Sequence, residues 1–302
     1  MQDFLQHLLN GFSLGSIYAL IALGYTMVYG ILQMINFAHS EVYMVGAFAS
    51  YYFARKLGID NTPQLSTLLL LLFVSMLSCA LLGFLIERIA YRPLRLRRSP
   101  KLNILITAIG VSLTLQYAGQ VIFGADPKVF PNVMNDIEVF SFAGLSFKSL
   151  DLTIWIVSFL AMLGLHFLVW HTRTGRAMRA VSHSSSLAAL MGINPDRVYS
   201  ATFILGSMLA GIGSVLVGMK YPKIEPLMGT LFGIKAFVAA VLGGIGHIPG
   251  AVLGGLMMGL LEEMVVAYMS STYRDALAFG LLIFVLIFKP AGLLGKRSIE
   301  KV

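Results

Sequence analysis

The sequence predicts an all-α, polytopic integral membrane protein with eight or nine transmembrane helices. Of its 302 residues, 57% are hydrophobic and only 12% are charged, whereas an ordinary soluble domain has about 25% charged residues. The mean hydropathy is +0.81. A transmembrane helix needs about 20 apolar residues, so the apolar residues suffice for about eight helices. A surface so poor in charge excludes a soluble globular protein, and the hydrophobicity excludes a disordered chain.

Nine apolar segments are candidates for transmembrane helices. The segment from Leu65 to Ile86 contains no charge and is the clearest. The second segment carries Asn36, His39 and Glu41 near its start, and the seventh is short and contains Lys235. Because irregular helices at membrane depth need cover from protein or a water cavity, nine helices cross if both weak segments cross, and eight if one is re-entrant. The nine segments are 5–30, 34–54, 64–86, 102–123, 152–170, 199–219, 231–245, 250–269 and 275–288.

The basic residues indicate the orientation. Most of the 22 Lys and Arg residues lie in three stretches, at 88–101, at 173–197 and in the C-terminal tail with Lys296, Arg297 and Lys301. Short loops rich in Lys and Arg stay in the cytoplasm. Nine crossings place all three stretches inside, with the N-terminus outside, and are therefore preferred. The net charge of +8 follows this rule and indicates no nucleic-acid partner, because no aromatic residues interleave with the basic ones.

Motifs for catalysis and metal binding are absent from the sequence. There is no P-loop, no His-Glu-x-x-His pair and no Gly-x-Ser-x-Gly elbow. The single cysteine, Cys79, excludes an internal disulfide and a multi-cysteine metal site. We therefore expect no catalytic residue, no metal, no cofactor and no enzymatic activity. Asp3 precedes the first apolar run and no basic residue does, so we expect no cleaved signal peptide.

Four polar residues at membrane depth are candidates for a translocation path: Asn36, His39, Glu41 and Lys235. Ionisable groups in a bilayer are costly and usually line a pathway or pair with one another. Asn36 and His39 share a face if the segment is helical, whereas His39 and Glu41 do not. Alternatively, Asn36 and His39 cap a helix near the interface, and Lys235 extends its stem to the interface. Acids at the ends of segments are expected at the interface: Glu87, Glu262 and Glu263.

Glycines at four-residue spacing predict close contacts between helices. The pairs are Gly11 and Gly15, Gly250 and Gly254, and Gly255 and Gly259. In lipid, small residues let helix backbones approach closely. The glycines pack helices within one bundle, the 250–259 face packs against a second subunit, or both arrangements occur.

The loop 171–198 predicts a short amphipathic helix on the cytoplasmic side. Residues 175–191 favour a helix with an apolar face formed by Met178, Val181, Leu187 and Leu190. Gly192 is a typical helix stop, and Asn194-Pro195-Asp196 turns the chain into the next helix. Such a helix docks into a groove on a soluble partner, or it lies on the membrane with its basic residues against anionic lipid.

Several stretches resemble the LivH-type permease subunit of branched-chain amino acid ABC importers. They begin with Gly-Ser-Ile-Tyr-Ala-Leu-Ile-Ala-Leu-Gly-Tyr-Thr-Met-Val-Tyr-Gly and continue with Ile-Asn-Phe-Ala-His-Ser-Glu. The resemblance extends over the whole chain and is weakest in the outer loop 124–150. The matching stretches are 15–30, 35–41, 175–180, 190–198, 239–255 and 289–295.

The resemblance implies a single transmembrane permease domain over residues 1–302 in a bacterial inner membrane, with the C-terminus in the cytoplasm. It implies a second, related permease subunit, two ATP-binding subunits that drive transport, and a periplasmic binding protein that delivers Leu, Ile or Val. The loop 171–198 then couples the permease to the ATPases. The residues that match this coupling loop are Gly175, Arg176, Arg179, Gly192, Asn194, Asp196 and Arg197.

The chain departs from the family pattern at two places. Ser40 stands where the family usually has glycine, and His183 and Ser184 stand where it usually has an acidic pair. Urea and short amides are alternative cargoes for the same mechanism. A stand-alone secondary transporter is a second alternative, motivated by Glu41 and Lys235, although no inverted repeat is visible. A membrane-embedded enzyme is the least supported class.

Overall fold

The computed structural model describes residues 2–97, 99–142, 145–289 and 291–295. Arg98 and the tail residues Lys296, Arg297 and Lys301, which entered the prediction of orientation, lie outside the described residues. The helices within these ranges are α1 (Gln2–Leu32), α2 (His39–Leu57), α3 (Leu65–Ile86), α4 (Arg92–Leu96), α5 (Lys101–Phe123), α6 (Ser149–His171), α7 (Arg173–His183), α8 (Ser185–Leu190), α9 (Pro195–Lys220), α10 (Met228–Gly243), α11 (Ile248–Tyr268) and α12 (Arg274–Phe288). A π-helical turn, Glu87–Tyr91, joins α3 to α4, and a 3-10 turn, Ser271–Tyr273, precedes α12.

The all-α polytopic fold predicted from the sequence is confirmed. Seven helices in the described ranges are long and apolar enough to cross a membrane: α1, α3 with its continuation to Leu96, α5, α6, α9, α11, and α12 with the turn before it. The two weak segments form α2, of 19 residues, and α10, of 16 residues. At about 1.5 Å per residue α10 is roughly 24 Å long, and a hydrocarbon core is about 30 Å thick. Whether both α2 and α10 cross stays a prediction.

Each predicted segment coincides with one helix, and the largest difference in bounds is at α2. The sequence placed the start of this segment at residue 34, but the helix begins at His39. Residues 33–38 are not helical. The polar residue Asn36 therefore precedes the helix and does not share a helical face with His39.

The centre of the bundle is formed by α1 and α9, which are each 83% buried over their most apolar stretch. Glycines bring α11 against α1, because a Cβ at Gly15 would lie 2.8 Å from the Cα of Leu256, and one at Gly259 would overlap the backbone of Gly15. Gly254 contacts Ala239 of α10 in the same way. The predicted close packing occurs within the chain. The glycines of the 250–259 stretch therefore contact α1 and α10, and packing of this stretch against a second subunit stays a prediction.

Four short strands lie at the end of the bundle away from the 88–101 stretch. β1 (Lys128–Val129) pairs antiparallel with β4 (Lys223–Ile224), and β2 (Glu138–Phe142) pairs antiparallel with β3 (Leu145–Lys148). An ion pair of 2.7 Å between Lys220 and Asp151 joins the end of α9 to the start of α6 there. These contacts place the loops 124–148 and 221–227 on the same side of the bundle, which is the arrangement that nine crossings require.

The loop 171–198 forms two helices, α7 and α8, so the single helix predicted over residues 175–191 is wrong. Ser184 is extended and ends α7, and its hydroxyl accepts a hydrogen bond from the backbone of Leu187, which starts α8. Met178 is 1% exposed, whereas Leu190 is 83% exposed. The predicted apolar face is therefore divided between a buried half on α7 and an exposed half on α8.

Candidate functional site

The entry to α2 lies inside the bundle. The ring of His39 packs against Tyr25 at 4.7 Å between centroids and fills the space beside Gly24. Gly24 precedes the end of α1 by roughly 12 Å along the helix axis. The α2 N-cap, Ala38, makes no side-chain hydrogen bond, and Asn36 instead accepts a bond of 2.9 Å from the hydroxyl of Tyr91. The alternative that Asn36 and His39 cap the helix near the interface is therefore wrong.

A cavity of about 250 Å³ opens between the start of α2 and the helices α1, α5 and α10. Of the four residues predicted for a translocation path, Glu41 lines this cavity, and Asn36, His39 and Lys235 do not. Its apolar walls are Tyr25, Phe37, Ile109, Leu113, Ile234 and Phe237, and its polar groups are Ser40, Glu41, Ser112, Gln116 and Thr230, with Gly233 between them. We refer to it as the Glu41 cavity.

The Glu41 carboxylate has few partners. The side chain is 1% exposed, and Oε1 accepts a bond of 3.4 Å from the Ser40 hydroxyl. Within the described part of the chain, neither Oε2 nor the buried hydroxyl of Thr230 forms a hydrogen bond of ordinary geometry, although the two groups lie near each other. No Lys or Arg among those residues forms an ion pair with Glu41. The cavity thus holds an acidic group whose second oxygen is free.

Two glycines of α10 make room for this arrangement. A Cβ at Gly229 would lie 2.6 Å from the carbonyl oxygen of Ser40 and 2.9 Å from Oε2 of Glu41. A Cβ at Gly233 would overlap the Cβ of Ser40. The side chain at Ser40, a departure from the family pattern, is therefore accommodated by a glycine on the facing helix.

A second group of charges, in which Lys235 and Glu262 are buried, lies on α10, α11 and α12. Lys235 contacts Glu262 at 3.1 Å and Asp275 at 2.9 Å, and Arg274 contacts Glu262 at 3.0 Å. The hydroxyl of Tyr18 donates a bond of 2.8 Å to Oε2 of Glu262. We call these five residues the outer charge cluster. The ammonium of Lys235 is thus held between two carboxylates, of which that of Asp275 is half-exposed, and the extension of Lys235 to the interface stays a prediction.

Tyr221 borders the outer charge cluster without adding charge to it. The guanidinium of Arg274 lies 6.0 Å from the centroid of its ring. Burial raises the pKa of the Tyr221 hydroxyl above its usual value. The hydroxyl is therefore neutral at physiological pH, and the cluster balances two cations with two carboxylates.

Two further acids expected at the interface have protein partners. Glu87, on the π-helical turn, is fully buried and accepts bonds from Arg95 at 2.8 Å and from the Ser200 hydroxyl at 2.7 Å. Glu263 contacts His7 at 3.2 Å. Glu262 is 1% exposed, so Glu87 and Glu262 are both covered by protein, and their position at the interface stays a prediction. In the sequence, the run of arginines that follows Glu87 was the signal that could have predicted this ion pair.

The predicted coupling residues divide into two groups. Gly175 and Arg179 hold α7 on α6, because a Cβ at Gly175 would overlap the carbonyl oxygen of Val169, to which Arg179 donates a hydrogen bond. Asp196 contacts Arg95 at 2.8 Å and Arg92 at 3.3 Å, which ties α9 to α4. The other residues are exposed at the surface of the loop: Arg176, Gly192, Asn194 and Arg197.

The turn between α8 and α9 follows the predicted pattern. Gly192 has a φ of +81° directly after α8, a conformation that favours glycine at a helix end. The side chain of Asn194 accepts bonds from the backbone of Asp196 at 3.0 Å and of Arg197 at 3.3 Å, and so caps α9. The predicted helix stop and turn are confirmed.

Comparison with known proteins identifies relatives over nearly the whole chain. The family model described as "Branched-chain amino acid transport system / permease component" matches residues 7–286. The "High-affinity branched-chain amino acid transport system permease protein LivH" of Escherichia coli K12 is 45% identical over 303 residues, with 99% of this chain and 98% of that protein covered. Protein BraD of Pseudomonas aeruginosa, which has the same description, is 45% identical over 305 residues, with 99% and 98% covered. A probable LivH of Methanocaldococcus jannaschii is 31% identical, with 91% and 88% covered.

Proposed function

The chain belongs to the family of branched-chain amino acid transport permease components, and we propose that it is the permease subunit of an ATP-driven importer of Leu, Ile and Val in a bacterial inner membrane. Its relatives are transport permeases and not enzymes. The observation that carries the proposal is the 45% identity to two such permeases over 99% of the chain. The bundle of apolar helices with a partly polar cavity supports it.

One proposed partner is another, related permease subunit, which covers α5. This helix is only 17% buried over its most apolar stretch. Thr107, Gly110 and Thr114 lie on one face of it, and the space beside Gly110 is open. Small residues on one face let two membrane helices approach closely. Because Ile109 and Leu113 of α5 also line the Glu41 cavity, a subunit packed there closes the cavity from the side.

The remaining partners are two ATP-binding subunits on the cytoplasmic side and a periplasmic binding protein on the opposite side. Leu187, Leu190 and Met191 are 59%, 83% and 83% exposed on α8 and the turn after it. An apolar group of this kind at the end of a membrane bundle fits a groove on a soluble partner. Arg176 and Arg197 flank it. The loop 171–198 is therefore the proposed coupling loop of a single permease domain over residues 1–302.

Gly192→Pro tests the coupling loop. Proline fixes φ near −65° where the backbone has +81°, and it removes the bond from the Gly192 backbone to Ala189. We expect leucine uptake per ATP hydrolysed to fall in the reconstituted complex while the chain still inserts. Gly58→Pro is the matched control, because Gly58 ends α2 on the other side with a φ of +65° and open space around it. Normal coupling in Gly192→Pro refutes the assignment.

The cargo is tested by uptake of labelled leucine and urea in cells lacking this gene and in the same cells with the gene restored. Loss and recovery of energy-dependent leucine uptake supports the proposal. Loss of urea uptake with unchanged leucine uptake keeps the mechanism and overturns the cargo. A reporter fused to the C-terminus tests the proposed cytoplasmic location of the tail, which follows from nine crossings and the positive-inside rule.

A further inference from the structure

Glu41 differs from the other buried acids of the membrane bundle that the structure describes. Glu262 contacts Lys235 and Arg274, and Glu87 contacts Arg95. Burying a carboxylate without a partner is costly, so such groups normally pair with a cation or take up a proton. Glu41 is 1% exposed, and its Oε2 has no partner in the described residues. The Glu41 carboxylate therefore lacks a cationic partner in the described structure.

The surroundings of Glu41 fit a small amphipathic molecule. At about 250 Å³ the cavity is slightly below the roughly 300–1,000 Å³ typical of drug-sized ligands. Phe37, Ile234 and Phe237 form an apolar wall on one side. Thr230 and Gln116 add hydrogen-bonding groups, and the Thr230 hydroxyl has no partner within the described chain.

We propose that Oε2 of Glu41 binds the ammonium group of the amino acid during its passage through the permease. The aliphatic side chain then lies against Phe37 and Phe237, and the carboxylate lies near Thr230 and Gln116. This inference rests on the proposed import function and assigns it a specificity element. A buried carboxylate attracts an ammonium group by its charge as well as by hydrogen bonding. Urea and short amides can donate N–H groups to the carboxylate, but they are neutral and cannot compensate its charge.

Ser40 contributes by positioning the carboxylate. Its hydroxyl lies 2.8 Å from the carbonyl oxygen of Phe37 and 3.4 Å from Oε1 of Glu41. One oxygen of Glu41 is thereby held on the α2 side. Oε2, which lies toward Gly229 of α10, is left for the ammonium group.

The first test uses the complete complex with its binding protein in liposomes. Glu41→Gln keeps the shape of the side chain and removes its charge, and Glu41→Asp keeps the charge on a shorter stem. We expect leucine uptake to fall at least tenfold in Glu41→Gln and less in Glu41→Asp, while ATP hydrolysis stimulated by the leucine-loaded binding protein is retained. Glu263→Gln, which changes an acid outside the cavity, is the charge-matched control and should transport normally.

The second test needs no variant. A hydrophobic carbodiimide modifies buried carboxyl groups, and mass spectrometry reports whether Glu41 is modified in the wild-type complex. We expect leucine and 3-methylbutylamine, which both carry an ammonium group, to protect Glu41. The oxo acid 4-methyl-2-oxopentanoate has the same aliphatic group without the ammonium and should not protect it.

Two results overturn the inference. One is normal leucine uptake by Glu41→Gln, and the other is equal protection by the oxo acid or protection by none of the three compounds. Failure of the proposed function is distinguishable, because the wild-type complex then takes up no leucine at all.

Discussion

Two glutamates of this bundle have the same burial and different surroundings. Glu41 and Glu262 are each 1% exposed in helices made mostly of apolar residues. Glu262 accepts contacts from Tyr18, Lys235 and Arg274. Glu41 has the Ser40 hydroxyl at 3.4 Å and a free oxygen beside a cavity. The comparison shows that the partners of a buried charge, and not its burial, distinguish a group that stabilises the fold from one that is free to meet a ligand.

The outer charge cluster joins four helices. Tyr18 belongs to α1, Lys235 to α10, Glu262 to α11, and Arg274 and Asp275 to α12. Since the cluster is balanced in charge, each member offsets the desolvation of another. The Glu41 cavity has no such balance, so substitutions in the two regions should have opposite consequences for stability and transport.

The largest effect on stability is expected for Glu262→Ala. It leaves Lys235 without its buried partner, and breaking a buried pair costs about 3–5 kcal/mol. Glu263→Ala is the control, because among the described residues its carboxylate forms hydrogen bonds with His7 and Asn10 alone, and its loss should matter much less. The sequence contains one cysteine, the buried Cys79. Thermal unfolding can therefore be followed by reaction of this thiol with a maleimide dye, in a complex whose partner chains lack cysteine.

The double variant Glu262→Met with Lys235→Met sharpens that result. Removing both charges leaves no unpaired charge on α10 or α11 in this cluster, and the two charges that remain, on Arg274 and Asp275 of α12, are opposite in sign and partly exposed. The double variant should therefore be more stable than Glu262→Met alone. Equal losses of stability in the single and double variants would show that the ion pair does not hold these helices together.

The next largest effect is expected for Gly233→Ala, at the wall of the Glu41 cavity. The added Cβ overlaps the Cβ of Ser40, and overpacking typically costs about 1–3 kcal/mol. Ser40→Gly, which restores the residue usual in the family, should recover part of the loss in the double variant. Unfolding temperatures of the two single variants and the double variant measure this coupling; strictly additive losses would contradict the contact.

A smaller effect is expected for Tyr18→Phe, which removes the bond of 2.8 Å to Glu262. Hydrogen bonds between membrane helices are worth about 0.6–2 kcal/mol. Tyr43→Phe is a close control, since the Tyr43 hydroxyl is buried without a partner in the described structure and its removal should cost nothing. Equal unfolding temperatures for the two variants would mean that Tyr18 does not stabilise the outer charge cluster.

The sequence predicted the helices well because their apolar runs are long and their boundaries carry local signals. Gly192 and Asn194 ended one helix and began the next as expected. The start of α2 was wrong by five residues, because residues 34–38 continue the apolar pattern of the sequence. In the structure Asn36 bonds to Tyr91 and Phe37 packs against Phe237 of α10, contacts that the local pattern does not record. The break at Ser184 was missed because the apolar residues on its two sides match a single helical period.

The polar sites were predicted less completely than the helices. The sequence identified Glu41 and Lys235 as unusual at membrane depth, but it does not say which helix lies opposite each of them. Glu262 was the available signal for the partner of Lys235, since an acid and a base in neighbouring apolar segments favour pairing. The cavity walls from α5 and α10 depend on the packing of helices distant in sequence, which no local pattern records.

The smallest effect on stability is expected for Glu41→Gln. For this variant the sign of the change in stability is more informative than its size. The amide keeps the shape of the side chain and removes an uncompensated charge, so the free energy of unfolding should stay within about 0.5 kcal/mol of the wild type or rise. The same variant is expected to lose leucine uptake. A stable but inactive variant indicates a residue kept for function at a cost in stability, whereas a loss as large as that of Glu262→Ala would show that Glu41 has a structural partner in the assembled complex.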